Sequence, residues 1–164
     1  MARTPRQIEH VEFTVDGVAT IVQWMARLAA ATDGWINLVP KVAENEDRPT
    51  SLGFLTLLGG GSAGVTMCTW IPRSYNRRGS VLASVGITQV TGRRAVAQLF
   101  SLGVPIPETW FVEQDHPRRG LVLRLPENEP HEGVLEWSLR AVSALCVPQP
   151  ARTWRADIYL PITS

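Results

Sequence analysis

Residues 10–15 alternate polar and apolar side chains, with Val11, Phe13 and Val15 on one side, and predict a half-buried strand. Helical spacing takes over at once. Val18, Ile21, Val22, Met25, Leu28 and Ala29 recur at intervals of three and four, with Asp16 placed to cap the start and Asp33-Gly34 to stop it. Trp24 borders this stripe and reads as core. A short run over 35–39 leads to a polar loop at 44–49. Two apolar, strand-sized runs, 52–58 and 65–71, flank a glycine-rich connection at 59–64.

From residue 81 the pattern becomes regular. A strand over 81–88 alternates Val81, Ala83, Val85 and Ile87. A helix over 92–102 turns Val96, Leu99 and Phe100 inward and stops at Gly103. A strand at 109–114, a polar turn at 115–120, a strand at 121–125, a helix at 130–146 and a strand at 154–160 complete the chain. That order, βαββαβ, is the ferredoxin-like or split βαβ arrangement. Residues 1–72 supply a β-α-β-β-β part that extends or faces it. The expected fold is therefore α+β in one domain, 1–164: a mixed or antiparallel sheet with helices on one face. The endings Thr69-Trp70-Ile71-Pro72 and Ile158-Tyr159-Leu160-Pro161 hint at a duplication.

Composition changes this picture in one respect. Residues 48–107 hold no aspartate or glutamate but six arginines, Arg48, Arg73, Arg77, Arg78, Arg93 and Arg94. The window carries +6; the whole chain is +1, so the other 104 residues sum to −5. Arginine outnumbers lysine fifteen to one, Lys41 being the sole lysine. Coding bias explains that ratio but not the segregation of charge. Cys68 and Cys146 are far apart and belong to no Cys-x-x-Cys pair, which argues against zinc or redox chemistry. The N-terminus lacks the apolar core of a signal peptide, and the apolar run 18–31 is too short for a membrane span and holds Gln23 and Arg27. A cytoplasmic protein with no membrane association is expected.

The glycine run fits Gly-x-Gly-x-x-Gly, but a dinucleotide site needs a helix N-terminus after the glycines, and a strand-like run ended by Pro72 follows instead. Ser62 fits Gly-x-Ser-x-Gly, yet it too leads into strand-like sequence. Arg77-Arg78-Gly79 after a strand resembles the acyl-CoA-binding turn of the GNAT-type acetyltransferases; the resemblance spans a handful of residues, and an alternating strand replaces the long helix that family requires. No spacing of His, Asp or Glu suggests a metal, and no cofactor is expected.

The two later helices differ in charge. The second has Glu127, Glu129 and Glu132 about its start and Arg140 nearer its end, as the helix dipole prefers. The first opens with Thr91-Gly92 followed by Arg93 and Arg94, where free N–H groups already make a positive end. An anion there would satisfy both. Thr91, Gly92, Arg93 and Arg94, joined by Arg77 and Arg78, form the expected anion-binding site; the bland alternative is that these arginines face water or pair with Glu44, Glu46 or Asp47. The leading expectation is a non-catalytic binding or assembly protein that takes an anionic small molecule and forms homo-oligomers through a sheet face. The first alternative is a small enzyme acting on a phosphate- or carboxylate-bearing substrate, with His116 or Asp115 as acid or base. The second is a weak nucleic-acid binder, which a net charge of +1 and a pI of about 7.9 disfavour.

Overall fold

The computed structural model describes residues 6–42, 66–89, 92–146 and 150–162. Along the chain come β1 (Ile8–Thr14), α1 (Ala19–Ala31), β2 (Trp35–Val42), β3 (Met67–Ile71), β4 (Ser74–Asn76), β5 (Gly79–Val81), β6 (Ser84–Thr88), α2 (Ala95–Ser101), β7 (Phe111–His116), β8 (Gly120–Arg124), α3 (His131–Leu145) and β9 (Pro150–Tyr159). The fold is α+β, with three helices among the described residues. Seven strands form one sheet in the order β1-β9-β2-β3-β6-β8-β7, every neighbouring pair antiparallel, and β4-β5 is a separate small hairpin.

Two consequences follow from that order. β1 and β2 run the same way with β9 between them, and β6 and β7 run the same way with β8 between them. Each is a split βαβ unit, spanned by α1 and α2 respectively. Crossovers of one hand over strands of one direction put both helices on the same side of the sheet. Between them lies α3, packed against α1, α2, β2 and β3.

The pleat then decides which residues meet the helices. Ile158, Ile36, Trp70, Val85 and Leu123 lie in register across five strands, as do Ala156, Leu38, Cys68, Ile87 and Leu121. All ten are buried in one core cluster with Ile21, Met25 and Leu28 of α1, Leu99 of α2 and Val134, Leu135, Ala141, Val142 and Leu145 of α3. Full burial pushes the Cys68 thiol up to about 12, although Ser138 hydrogen-bonds to it. It is a packing residue. Glycine is required at two sheet ends. Gly34 (φ +90°) and Gly120 (φ +85°) would each drive a Cβ to 2.4 and 2.3 Å from the carbonyl oxygens of Tyr159 and Ile87.

Several expectations need correction. The unit 81–164 has its elements in the anticipated order, and β6-β8-β7 adjoin as a split βαβ unit should. Its closing strand does not return beside β6. That edge is taken by β3, and α3 carries the chain across to β9, between β1 and β2. β9 is ten residues long, and pairing on both sides along most of its length satisfies more backbone than the edge beside β6 offers. Asp16 does not cap α1: the N-cap is Val18, with no side-chain cap, because Thr14 to Gly17 turn on their own hydrogen bond. Phe100 does not point inward. α2 is only two turns long and buries Ala95 and Leu99, so Phe100, a third of a turn from Leu99, is 75% exposed. The run 52–58, the glycine-rich connection with Ser62, and the loop with Glu44, Glu46, Asp47 and Arg48 lie outside the described residues.

Candidate functional site

The predicted arginines come first. Arg93 and Arg94 stand at the start of α2, both exposed, and Gly92 beside them takes a positive φ of 65°. Thr91 lies outside the described residues. The first amide of α2 is already engaged: Ala95 N donates to Asp115 Oδ1 at 2.8 Å. Asp115 therefore caps the helix from the neighbouring strand β7. Arg77 and Arg78 occupy the β4-β5 turn, which leaves the sheet between β3 and β6. The two pairs are thus attached at opposite ends of β6, a five-residue strand about 17 Å long. They are not brought together. None of the four pairs with a carboxylate among the described residues, whereas Arg73 pairs with Glu127 at 3.2 Å. His116, beside Asp115, has its Nδ1 occupied as acceptor by the amides of Arg118 and Arg119 at 3.1 and 3.2 Å. Both candidate acid/base groups are holding backbone in place.

A second cluster was not legible as a unit in the sequence. On the sheet face away from the helices, His10, Asp157, Asn37, Thr69 and Gly86 fall in register across β1, β9, β2, β3 and β6. Asp157, Asn37 and Thr69 are 4%, 1% and 1% exposed, so their polar atoms need partners inside the protein. They have them. His10 Nδ1 lies 2.7 Å from Asp157 Oδ1; a carboxylate only accepts, so this nitrogen carries the proton. Arg155 clamps the same carboxylate through Nε (2.8 Å) and Nη2 (3.1 Å). Thr69 Oγ1 donates to Asn37 Oδ1 at 2.8 Å, and Asn37 also hydrogen-bonds the Tyr159 hydroxyl. Burial, and then the Asp157 charge, raise the Tyr159 hydroxyl above its usual range. The network resembles an oriented base, with the His10 side chain largely exposed. Among the described residues, however, His10 bonds to Asp157 and to no nucleophile. No group of three or more His, Cys, Asp or Glu side chains among them is disposed to hold a metal.

The third feature is a groove of about 620 Å³ on the outer surface of the helical layer. Its floor is apolar: Val15 and Val18 from the β1-α1 connection, Val104 from the α2-β7 connection, and Leu139 of α3. Glu132, Glu136, Arg140 and Ser143 line it along α3 at helical spacing. The α2-β7 wall is firmly held. Val104 N bonds to Leu99 O at 2.9 Å, Trp137 Nε1 donates to Pro105 O at 3.0 Å, and the Trp110 and Trp137 rings meet edge to face at 5.0 Å. Val15 is 52% exposed within this concavity. The sequence held one signal for it, the Glu132, Glu136, Arg140 series at four-residue steps, but nothing in it told which connections would rise on either side of α3.

At the end of the sheet beyond β8, large apolar side chains are also exposed: Phe100 and Leu102 of the α2 end, and Phe111 and Val112 of the edge strand β7. No helix among the described residues is long and apolar enough to cross a membrane. No protein-family model, curated protein or solved structure matches the chain.

Proposed function

We propose that this chain is a non-catalytic binding protein whose ligand is a small, largely apolar molecule held in the groove over α3. The observation that carries the reading is a preformed concavity of about 620 Å³ with an apolar floor, inside the range of roughly 300–1,000 Å³ that small-molecule sites occupy. The polar network on the far sheet face supports the same conclusion from the other side. Its groups satisfy one another, so it reads as structure, whereas Val15 in the groove leaves apolar surface facing outward. The arginine pairs are not needed for this reading, and one amide at the start of α2 beside them is already met by Asp115. The test is a methyl-resolved NMR titration with a set of small apolar compounds. Shifts concentrated at Val15, Val18, Val104 and Leu139 are expected. Shifts confined to the Arg93–Arg94 corner, or no saturable shift for any compound, would overturn it.

A second reading, assembly of identical chains, has its own observation. Phe100 and Phe111 are 75% and 67% exposed, and α2 packs over β7 and β8 at that end of the sheet. Exposed aromatic groups beside an edge strand suit a symmetric contact between two copies. The β-bulge between Val112 and Gln114 interrupts the edge ladder, so this contact would rest on side chains more than on strand pairing. Light scattering on the wild type and on the double variant Phe100→Glu/Phe111→Glu tests it: a dimer that becomes a monomer is expected, and a wild type monomeric at high concentration ends the reading.

A further inference from the structure

Charge around the groove narrows the class of ligand. We infer that the groove takes an amphiphilic cation, a molecule with a hydrocarbon portion and an ammonium group. The inference rests on the groove reading above. Glu132, Glu136 and Arg140 stand one helical turn apart along α3, all lining the same concavity. Their formal charges, two negative and one positive, leave it at −1. The two kinds of charge are also unequally engaged. The Arg140 guanidinium leans on the Gly103 carbonyl at 3.4 Å, across the groove wall. Neither glutamate has an ion-pair partner within 4.0 Å among the described residues. Glu132 gains something from the N-terminus of α3, whose first turn it occupies, but Glu136 sits beyond that first turn, and Arg140 one turn on makes its hydrogen bond to Gly103 instead.

Geometry says how such a ligand would lie. Val15 and Val18 offer apolar surface to the hydrocarbon above the nearly buried Val104 and Leu139, and the carboxylates offer an end for the ammonium. From Glu132 to Ser143 the groove follows α3 for eleven residues, about 16 Å at 1.5 Å per residue. That length suits a linear or narrow molecule lying along the helix. An anionic amphiphile that set its head on Arg140 would bring it within one helical turn of Glu136.

Three probes of equal chain length separate the inference from the reading it rests on: octylamine, octanol and octanoate, titrated below their aggregation limits by calorimetry and methyl NMR. The exposed carboxylates contribute modestly, on the order of 0.2–1 kcal/mol each, so the amine should bind about two- to thirtyfold more tightly than the alcohol and the carboxylate most weakly. Raising the salt concentration should shrink the preference. Glu132→Gln/Glu136→Gln should erase the preference for the amine over the alcohol, and lower the melting temperature only slightly through the helix-end charge lost at Glu132. Equal affinities for all three probes overturn the cation inference and leave the groove reading standing. A preference for octanoate overturns it in favour of Arg140. Failure of all three to shift the groove methyls removes both.

Discussion

The two broad surfaces of this protein break the usual rule of burial in opposite ways. On the sheet face away from the helices, Asp157, Asn37 and Thr69 are polar and almost wholly buried; on the outer helical surface, Val15 is apolar and more than half exposed. The first exception is closed. Arg155, His10 and Tyr159 supply the partners those buried atoms need, and little is left over for a ligand. The second is open, because nothing among the described residues lies over the groove floor from outside. A buried polar group with its partners inside is a structural device, and a preformed apolar concavity is an offer of binding. Function should therefore belong to the surface that carries less of the fold.

That division can be broken by mutation. The largest effect is expected where neither surface is involved. Leu123 is fully buried between sheet and helices, and Leu123→Ala should cost about 2–5 kcal/mol in denaturant unfolding. A value below about 1 kcal/mol would mean that the two in-register apolar rows are not the core. Asp157→Ala comes next. It leaves the Arg155 clamp and the His10 proton without their acceptor, at a cost of about 1–3 kcal/mol, and should leave ligand affinity unchanged. Loss of binding without loss of stability in this variant would move the function to the far face.

The smallest effect concerns a junction that belongs to neither surface. Burial pushes the Asp33 carboxyl up, but the Arg6 guanidinium at 2.7 Å and the amides of Ile162 (3.1 Å) and Gly34 (2.7 Å) outweigh it, and the net shift is below the ordinary 3.8. A depressed folded value means that the unfolded chain takes up the proton first. The contribution is complete above the ordinary carboxylate range and is lost as the pH falls through the depressed value. Melting temperatures of wild type and Asp33→Asn should differ at neutral pH and converge in acid. A gap that persists unchanged in acid would show that charge at Asp33 is not what holds Arg6 and Ile162 to the α1-β2 connection.

How much of this was legible beforehand follows from the physics of each feature. Alternation at Val85 and Ile87, and helical spacing at Ile21, Met25 and Leu28, report burial directly, so the core-bearing strands and all three helices were readable. Strand neighbours are a different matter. Nothing local to residues 150–159 says that they pair with β1 and β2, and without that register His10, Asp157, Asn37 and Thr69 look like four unrelated polar residues. The arginine excess of residues 48–107 was real, yet a count along the chain does not say where a fold puts side chains. Arg77 and Arg78 leave one end of β6 and Arg93 and Arg94 the other. The groove depended on two connections, 15–18 and 102–110, rising beside α3, which no periodicity encodes.

The comparison of surfaces reduces to one paired measurement: octanol affinity and melting temperature in Val15→Trp and in Asp157→Ala. A tryptophan at the exposed Val15 should fill the groove, so the account predicts lost binding at unchanged melting temperature; Asp157→Ala should show the reverse, a lowered melting temperature at unchanged affinity. Full binding in Val15→Trp together with lost binding in a still-folded Asp157→Ala would contradict it.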